Sequence, residues 1–105
     1  MSQKLIAELE LKICEKTVEC LLAAGFKITV NDGEEEVVKK SDDKSRIMEA
    51  VRSTDEDFLI THKKGHTDHF VRFIWGEGAT VINDFSCALE DTLQPVIELS
   101  EKYMD

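Results

Sequence analysis

The residues best suited to chemistry are three histidines and an aspartate in one short stretch: His62, His66, Asp68 and His69. Imidazole nitrogens and a carboxylate can hold zinc in a tetrahedral site. However, the H-x3-H-x2-H spacing matches no established zinc pattern, and the two lysines that follow His62 would repel a dication. The sequence therefore favours a solvated loop. A metal site and a pH-sensitive loop are the alternatives, since histidine titrates near neutrality.

Two further groups of side chains resemble parts of catalytic sites. Cys87 precedes a predicted helix start, where a thiol can become reactive, but no histidine is placed to act as its base. Asp84, Glu90 and Asp91 are close in sequence. The start of the last helix accounts for Glu90 and Asp91, and no nucleophile completes a mechanism. We therefore predict that the chain is not an enzyme and uses no cofactor.

The range 69–85 predicts the central hairpin of a sheet, with its turn at Gly76-Glu77-Gly78. The two glycines of this turn can take positive φ. Side chains alternate across a strand, so each arm has two faces. The expected faces are Val71, Phe73 and Trp75 opposite Phe70, Arg72 and Ile74 in the first arm, and Val81, Asn83 and Phe85 opposite Ile82 and Asp84 in the second arm, residues 80–85.

One face of the first arm is the best candidate for a protein contact. If helices cover only the Phe73 side, then Phe70 and Ile74 form an exposed apolar strip beside Arg72, and such strips mark interfaces. Trp75, at the hairpin end, is either a binding platform or rim packing. A second copy of the chain is an alternative partner. The predicted interaction residues are Phe70, Arg72, Ile74, Trp75 and Glu77.

Hydrophobic periodicity divides the chain into helices and strands. In the first helix, Ser2 is the expected N-cap and Gly25 the terminator. The charged strand 35–39 belongs at a sheet edge, where charge blocks unwanted pairing. The element order predicts a single α+β domain over residues 1–105, with an antiparallel sheet of about five strands and helices packed mainly on one face. The other expected elements are strands at 26–30 and 58–61, helices at 2–24 and 41–52 (capped by Asp42 or Asp43), and a last helix capped by Asp91 or Thr92 with Leu93, Val96, Ile97 and Tyr103 on its buried side.

Charge is the strongest signal in the composition. The 105 residues carry a formal net charge of −9, and residues 73–105 hold seven acids against Lys102. An acidic surface repels nucleic acid and anionic lipid, and it suits a basic protein partner or solubility alone. The N-terminus is too charged for a signal peptide, and no stretch approaches the roughly 18 apolar residues of a membrane span. With three cysteines and no C-x-x-C motif, we expect reduced thiols and a cytoplasmic protein.

Three short blocks occur in a characteristic order: S-T-D-E-D at 53–57, V-R-F-I-W-G at 71–76 and V-I-N-D-F at 81–85. Together with the turn at 30–34, they resemble a family of small proteins encoded in phage and prophage genomes. At 69–70 the chain has His-Phe where the family pattern has Gly-Trp. The resemblance implies an accessory protein in an infected bacterial cytoplasm. It would bind a host or phage protein as an inhibitor or modulator, and no catalytic residues are implied.

Overall fold

The computed structural model describes residues 2–104, which form three α-helices, five strands and two short 3-10 turns. The predicted α+β fold and element order are confirmed. Asp105, one of the C-terminal acids, lies outside the described residues. Within them, no helix is long and apolar enough to cross a membrane. The elements are α1 (Gln3–Ala23), β1 (Lys27–Asn31), β2 (Glu36–Ser41), α2 (Lys44–Ala50), β3 (Glu56–His62), β4 (His69–Ile74), a 3-10 turn (Gly78–Thr80), β5 (Ile82–Phe85), a second 3-10 turn (Cys87–Leu89) and α3 (Gln94–Glu101).

The five strands form one antiparallel sheet in the order β2-β1-β3-β4-β5. The central strand β3 pairs with β1 through Val30 and Leu59, and with β4 through Leu59 and Val71. The connection through α2 carries the chain from β2 past β1 to β3. Since β2 lies at an edge, the position predicted from its charged sequence is confirmed.

One hydrophobic core lies between the sheet and the helices. Burial alternates along β4, where Val71 and Phe73 are fully buried while Phe70, Arg72 and Ile74 are half-exposed. This confirms the two faces predicted for the first hairpin arm. Each fully buried large apolar side chain contributes about 1.5–3 kcal/mol. The other large members of the core are Ile13, Leu21, Ile28, Ile47, Leu59, Leu89 and Leu93.

Both ends of α1 follow from its sequence. The Ser2 hydroxyl accepts a hydrogen bond from the backbone N–H of Leu5 at 3.3 Å, so the predicted N-cap is confirmed. At the other end, Gly25 has a φ of +91°, and Phe26 N donates to Leu21 O at 3.1 Å. This is the Schellman arrangement, in which a glycine ends a helix. It turns the chain directly into β1.

The start of α3 differs from the prediction. Neither Asp91 nor Thr92 caps it: the N-cap is Leu93, whose apolar side chain makes no capping hydrogen bond. The 3-10 turn at Cys87–Leu89 leads into Leu93, which is buried. The burial of Leu93, and not a capping side chain, therefore fixes the start of the helix. Tyr103, predicted to be buried, is 43% exposed because it lies beyond the end of α3.

The second hairpin arm is also different. It begins with a 3-10 turn, and β5 starts at Ile82. A register shift between Arg72 and Phe73 places Ile82 opposite Phe73, and both Ile82 and Phe85 pack against the core. The expectation that Ile82 shares a face with Asp84 is therefore wrong, because an irregular register interrupts simple alternation.

A buried carboxylate ties α1 to the hairpin turn. Glu10 is 1% exposed, and its Oε2 atom accepts hydrogen bonds from the backbone N–H groups of Gly76 and Gly78, each at 2.8 Å. The two glycines have φ values of +101° and +67°, as the sequence predicts. Positive φ lets nearby backbone N–H groups converge on one anion, so the turn and the helix position each other.

Candidate functional site

The sheet face opposite the helices carries half-exposed apolar side chains. By the register, this face includes Phe58, Ile60, Phe70, Arg72 and Ile74, and all five have intermediate exposure. In the described part of the chain, the four apolar residues neither belong to the core nor pack against it. We refer to the surface of these five residues as the open face. It includes the predicted apolar strip and extends it to a second strand, β3.

Arg72 organises the polar contacts of the open face. Its Nη2 and Nε atoms donate to Glu56 Oε2 at 2.7 and 3.2 Å, and Nη1 donates to Asn83 Oδ1 at 2.9 Å. Asn83 thus contacts the open face and not the helix side, because of the register shift in β5. The guanidinium carbon lies 5.6 Å from the ring centre of Phe58, whose ring is 6.4 Å from that of Phe70. These contacts hold the aromatic side chains in place at the surface.

An acidic groove of about 340 Å³ lies where the open face ends. The Asp32 carboxylate accepts backbone hydrogen bonds from Glu35 and Glu34, which lower the pKa of Asp32. Thr54 Oγ1 donates to Asp32 O at 2.7 Å and so joins the turn after β1 to the S-T-D-E-D run. The groove is lined by Asp32, Gly33, Glu34, Thr54, Asp55, Glu56 and Ile74.

Gly33 should be the least replaceable residue of this groove. Its φ is +99°, and an added Cβ would lie 3.1 Å from Oε1 of Glu56, whose other oxygen binds Arg72. We expect Gly33→Ala to lower the unfolding free energy by about 2 kcal/mol, through backbone strain and displacement of Glu56. The control Gly65→Ala adds a Cβ at a φ of +81° with no atom within 4 Å, so only strain of about 1 kcal/mol applies. Urea denaturation measures both variants. Equal losses of unfolding free energy in Gly33→Ala and Gly65→Ala would mean that displacing Glu56 does not destabilise the fold.

Acidic side chains concentrate at one end of the strands. Asn31 pairs with Glu36 and with Phe58 at that end of the sheet, whereas Lys27 pairs with His62 at the other. At the second end, lysines and carboxylates are equal in number. The acidic end carries Asp32, Glu34, Glu35, Glu36, Asp55, Glu56 and Glu77 with Arg52, and the second end carries Lys27, Lys39, Lys40, Lys63 and Lys64 with Asp42, Asp43, Asp68, Glu90 and Asp91.

Two of the five predicted interaction residues lie away from the open face. The ring of Trp75 stacks on that of Phe73, with centroids 5.5 Å apart and planes at 15°, so Trp75 packs on the helix side. Glu77 is exposed in the hairpin turn. The structure thus brings together Phe70, Arg72 and Ile74, and it adds Phe58 and Ile60, which sequence reasoning did not select although alternation along β3 would have placed them there.

Trp75 instead belongs to a buried polar cluster around Asp57. Asp57 is fully buried, and its Oδ2 atom accepts from Trp75 Nε1 and from Arg52 N, each at 2.8 Å. Arg52 has a φ of +68°, and its guanidinium carbon lies 5.6 Å from the ring centre of Trp75. Burial raises the pKa of Asp57. The second carboxylate oxygen, Oδ1, is buried without a hydrogen-bond partner among the described residues.

The three histidines do not converge on one point. Nδ1 of His62 lies 3.0 Å from Asp68 Oδ2, and Nε2 is hydrogen-bonded to Thr29 Oγ1 at 2.7 Å. His66 is exposed in the loop, and His69 lies opposite Thr61 across the β3–β4 pair. Across residues 2–104, no group of three or more His, Cys, Asp or Glu side chains is placed to hold a metal ion.

The hydrogen-bonded chain from Asp68 through His62 to Thr29 has the order of a nucleophile, base and orienting acid. However, Thr29 is 2% exposed, and its Oγ1 atom also accepts from Lys40 N at 3.0 Å. A nucleophilic hydroxyl must reach its substrate, and this one is buried. The arrangement instead attaches the loop after β3 to β1 and β2.

The cysteines lie apart from these surfaces. Cys14 is fully buried in the core, and burial raises the pKa of its thiol, which makes it a poor nucleophile at neutral pH. Cys87 is exposed at the 3-10 turn before α3. All three cysteines, including Cys20, are free thiols.

By its fold and surface, the chain is a small α+β domain with a helix-backed antiparallel sheet and one open, partly apolar face. Comparison with protein-family models, with curated proteins and with solved structures finds no match to the chain. The resemblance to phage and prophage proteins therefore stays a prediction.

Proposed function

We propose that the chain is a small, acidic, non-catalytic protein-binding module, and that it is an accessory protein of phage or prophage origin acting in the cytoplasm of a bacterial host. The observation that carries this proposal is the open face, where four apolar side chains remain half-exposed outside the core. Apolar patches rimmed by polar groups are typical of protein interfaces. The three sequence blocks support the phage origin.

The chemistry of the open face defines its partner. Phe58 and Phe70 are aromatic residues held in place by Arg72, and aromatic side chains are enriched in interface cores. Ile74 borders the acidic groove, whose carboxylates attract lysine or arginine. We therefore expect a host or phage protein that presents an apolar patch flanked by basic residues. Occupation of that patch would inhibit or modulate the partner.

The histidine loop gives less support to a metal-binding function. Both ring nitrogens of His62 lie within hydrogen-bonding distance of Thr29 or Asp68, and the other two histidines lie in different elements, His66 in the loop and His69 in β4. A metal ligand needs a free nitrogen aimed at a common centre. The open face therefore remains the better basis for a function.

The test compares three tagged forms of the chain in capture from bacterial lysate: the natural sequence, the double variant Phe70→Asp/Ile74→Asp, and the control Val37→Asp. Val37 is 39% exposed and lies on the edge strand β2, which β1 separates from the strands of the open face. We expect one protein to be retained by the natural chain and the control, and about tenfold less of it by the double variant, since interface anchors contribute more than about 1 kcal/mol each. Retention should weaken at high salt.

Titration of the purified pair then measures the affinity of each form, and circular dichroism checks that each form is folded. Equal retention by all three forms, or retention of nothing at either salt concentration, would contradict the proposal. Light scattering tests the alternative of a homodimer. A mass of two copies that falls to one copy in the double variant would replace the protein partner with a second copy of the chain.

A further inference from the structure

A second groove, which is apolar and has a volume of about 300 Å³, lies between the edge strand β5 and α3. Ile82 and Phe85 line it from the strand, and Leu93 and Ile97 line it from the helix side. Ile82, Phe85 and Ile97 are half-exposed, so the groove is open to solvent. Met104, at its end, is 49% exposed. Ile97 was predicted to be buried, and its exposure follows from this gap between helix and strand.

Along this groove, β5 also leaves backbone groups outside the sheet ladder. Within residues 2–104, β5 is the last strand of the sheet and pairs only with β4. Ser86 N donates to Phe70 O of β4 at 3.0 Å, so the preceding N–H, that of Phe85, points away from β4. Asp84 Oδ1 accepts that N–H at 2.9 Å. A carboxylate thus occupies the position that a carbonyl of an added strand would take.

We propose that this groove binds an extended segment of a partner protein, which pairs with β5 as a sixth strand and directs every second side chain between β5 and α3. In this mode of recognition, backbone hydrogen bonds supply affinity, and the pockets beside the edge strand select alternate side chains. The apolar walls of the groove select aliphatic residues at those positions.

The charge around the groove selects basic residues at the remaining positions. Glu101 lines the groove itself, and Asp84 lies opposite Arg72 on the other side of the sheet. Side chains that alternate with the aliphatic ones would point toward Asp84. The occupant is therefore an extended segment in which aliphatic residues alternate with lysine or arginine.

This inference goes beyond the proposed function, because the two surfaces use different side chains. Ile82 and Phe85 pack toward the helices, whereas Phe58 and Phe70 lie on the opposite side of the sheet. Loss of binding at one surface therefore leaves the other intact.

The probe is a fluorescent ten-residue peptide of alternating lysine and valine, titrated at low salt into the natural chain and followed by amide shifts in NMR. We expect the largest shifts at β5 and α3. Ile97→Asp should weaken binding about tenfold or more, because it removes one apolar wall. Val37→Asp, which adds the same charge at the opposite edge strand β2, should not. A peptide with central prolines, which lack the N–H needed for pairing, should bind much more weakly.

Four results would overturn the proposal: no saturable binding, shifts centred on residues outside β5 and α3, equal affinity for Ile97→Asp and Val37→Asp, and equal affinity for the proline peptide. Light scattering of the free chain tests whether β5 pairs with β5 of a second copy. A mass of two copies that Ile97→Asp reduces to one would also overturn the proposal, since the groove would then hold a second copy.

Discussion

Replacement of Glu10 by alanine is expected to lower the free energy of unfolding by about 3 kcal/mol. The carboxylate is buried and accepts two backbone hydrogen bonds, from Gly76 and Gly78, each at 2.8 Å. In the alanine variant, both donors lose a charged acceptor, and a cavity forms between α1 and the hairpin turn. Urea unfolding followed by circular dichroism measures the change.

Glu8→Ala is the matched control, because Glu8 is an exposed carboxylate on the same helix. Its removal should change the unfolding free energy by no more than about 0.5 kcal/mol. Glu10→Gln keeps an acceptor oxygen without the charge and should fall between the two alanine variants. Equal losses for Glu8→Ala and Glu10→Ala would show that the hairpin turn does not depend on the buried carboxylate.

Asp57→Ala should also cost about 3 kcal/mol, because the indole N–H of Trp75 and the backbone N–H of Arg52 would both lose their acceptor. Since Trp75 is the single tryptophan of the chain, its fluorescence reports the change in its surroundings directly. Asp57→Asn keeps an acceptor for these donors and should cost less than the alanine variant. If both variants are as stable as the natural chain, the cluster is not a source of stability.

Asp57 should also make stability depend on pH. Burial raises its pKa above the usual 3.8, although hydrogen bonds from Arg52 and Trp75 oppose the shift. The folded state therefore binds this proton more tightly than the unfolded state. The resulting stabilisation is complete below pH 3.8 and is lost as the pH rises through the raised pKa.

The unfolding free energy of the natural chain minus that of Asp57→Asn should therefore decrease as the pH rises over that range and then stay constant. Asp55→Asn, at an exposed neighbouring position, is the control and should not reproduce the trend. A difference between the natural chain and Asp57→Asn that is constant from about pH 3 to pH 7 would contradict the assignment.

The element order and the main faces could be predicted because their signals are local. Glycine marks the end of α1 and both sides of the hairpin turn, and each has the expected positive φ. The strict alternation in β4 predicted that Phe70, Arg72 and Ile74 share one face, and all three lie on the open face. The charged side chains of β2 predicted the edge position that this strand has in the sheet.

Long-range contacts and irregular register set the limits of the prediction. Glu10 contacts Gly76 although 66 positions separate them in the sequence, and the residues next to either one do not predict that contact. The one available signal was a carboxylate on the buried stripe of α1, beside Leu9 and Ile13. In β5, the shift in register put Ile82 on the core side and Asn83 beside Arg72, whereas Asp84 and Phe85 kept their expected faces, because the irregularity is confined to one step of the strand.

The excess of acids at one end of the strands gives the molecule a permanent dipole moment along the sheet. A basic protein that diffuses toward it is rotated by the field before any contact forms, and it arrives with its positive side facing the turns after β1 and α2. Association should then be fast in dilute buffer and slow as salt screens the field, while the dissociation rate changes little.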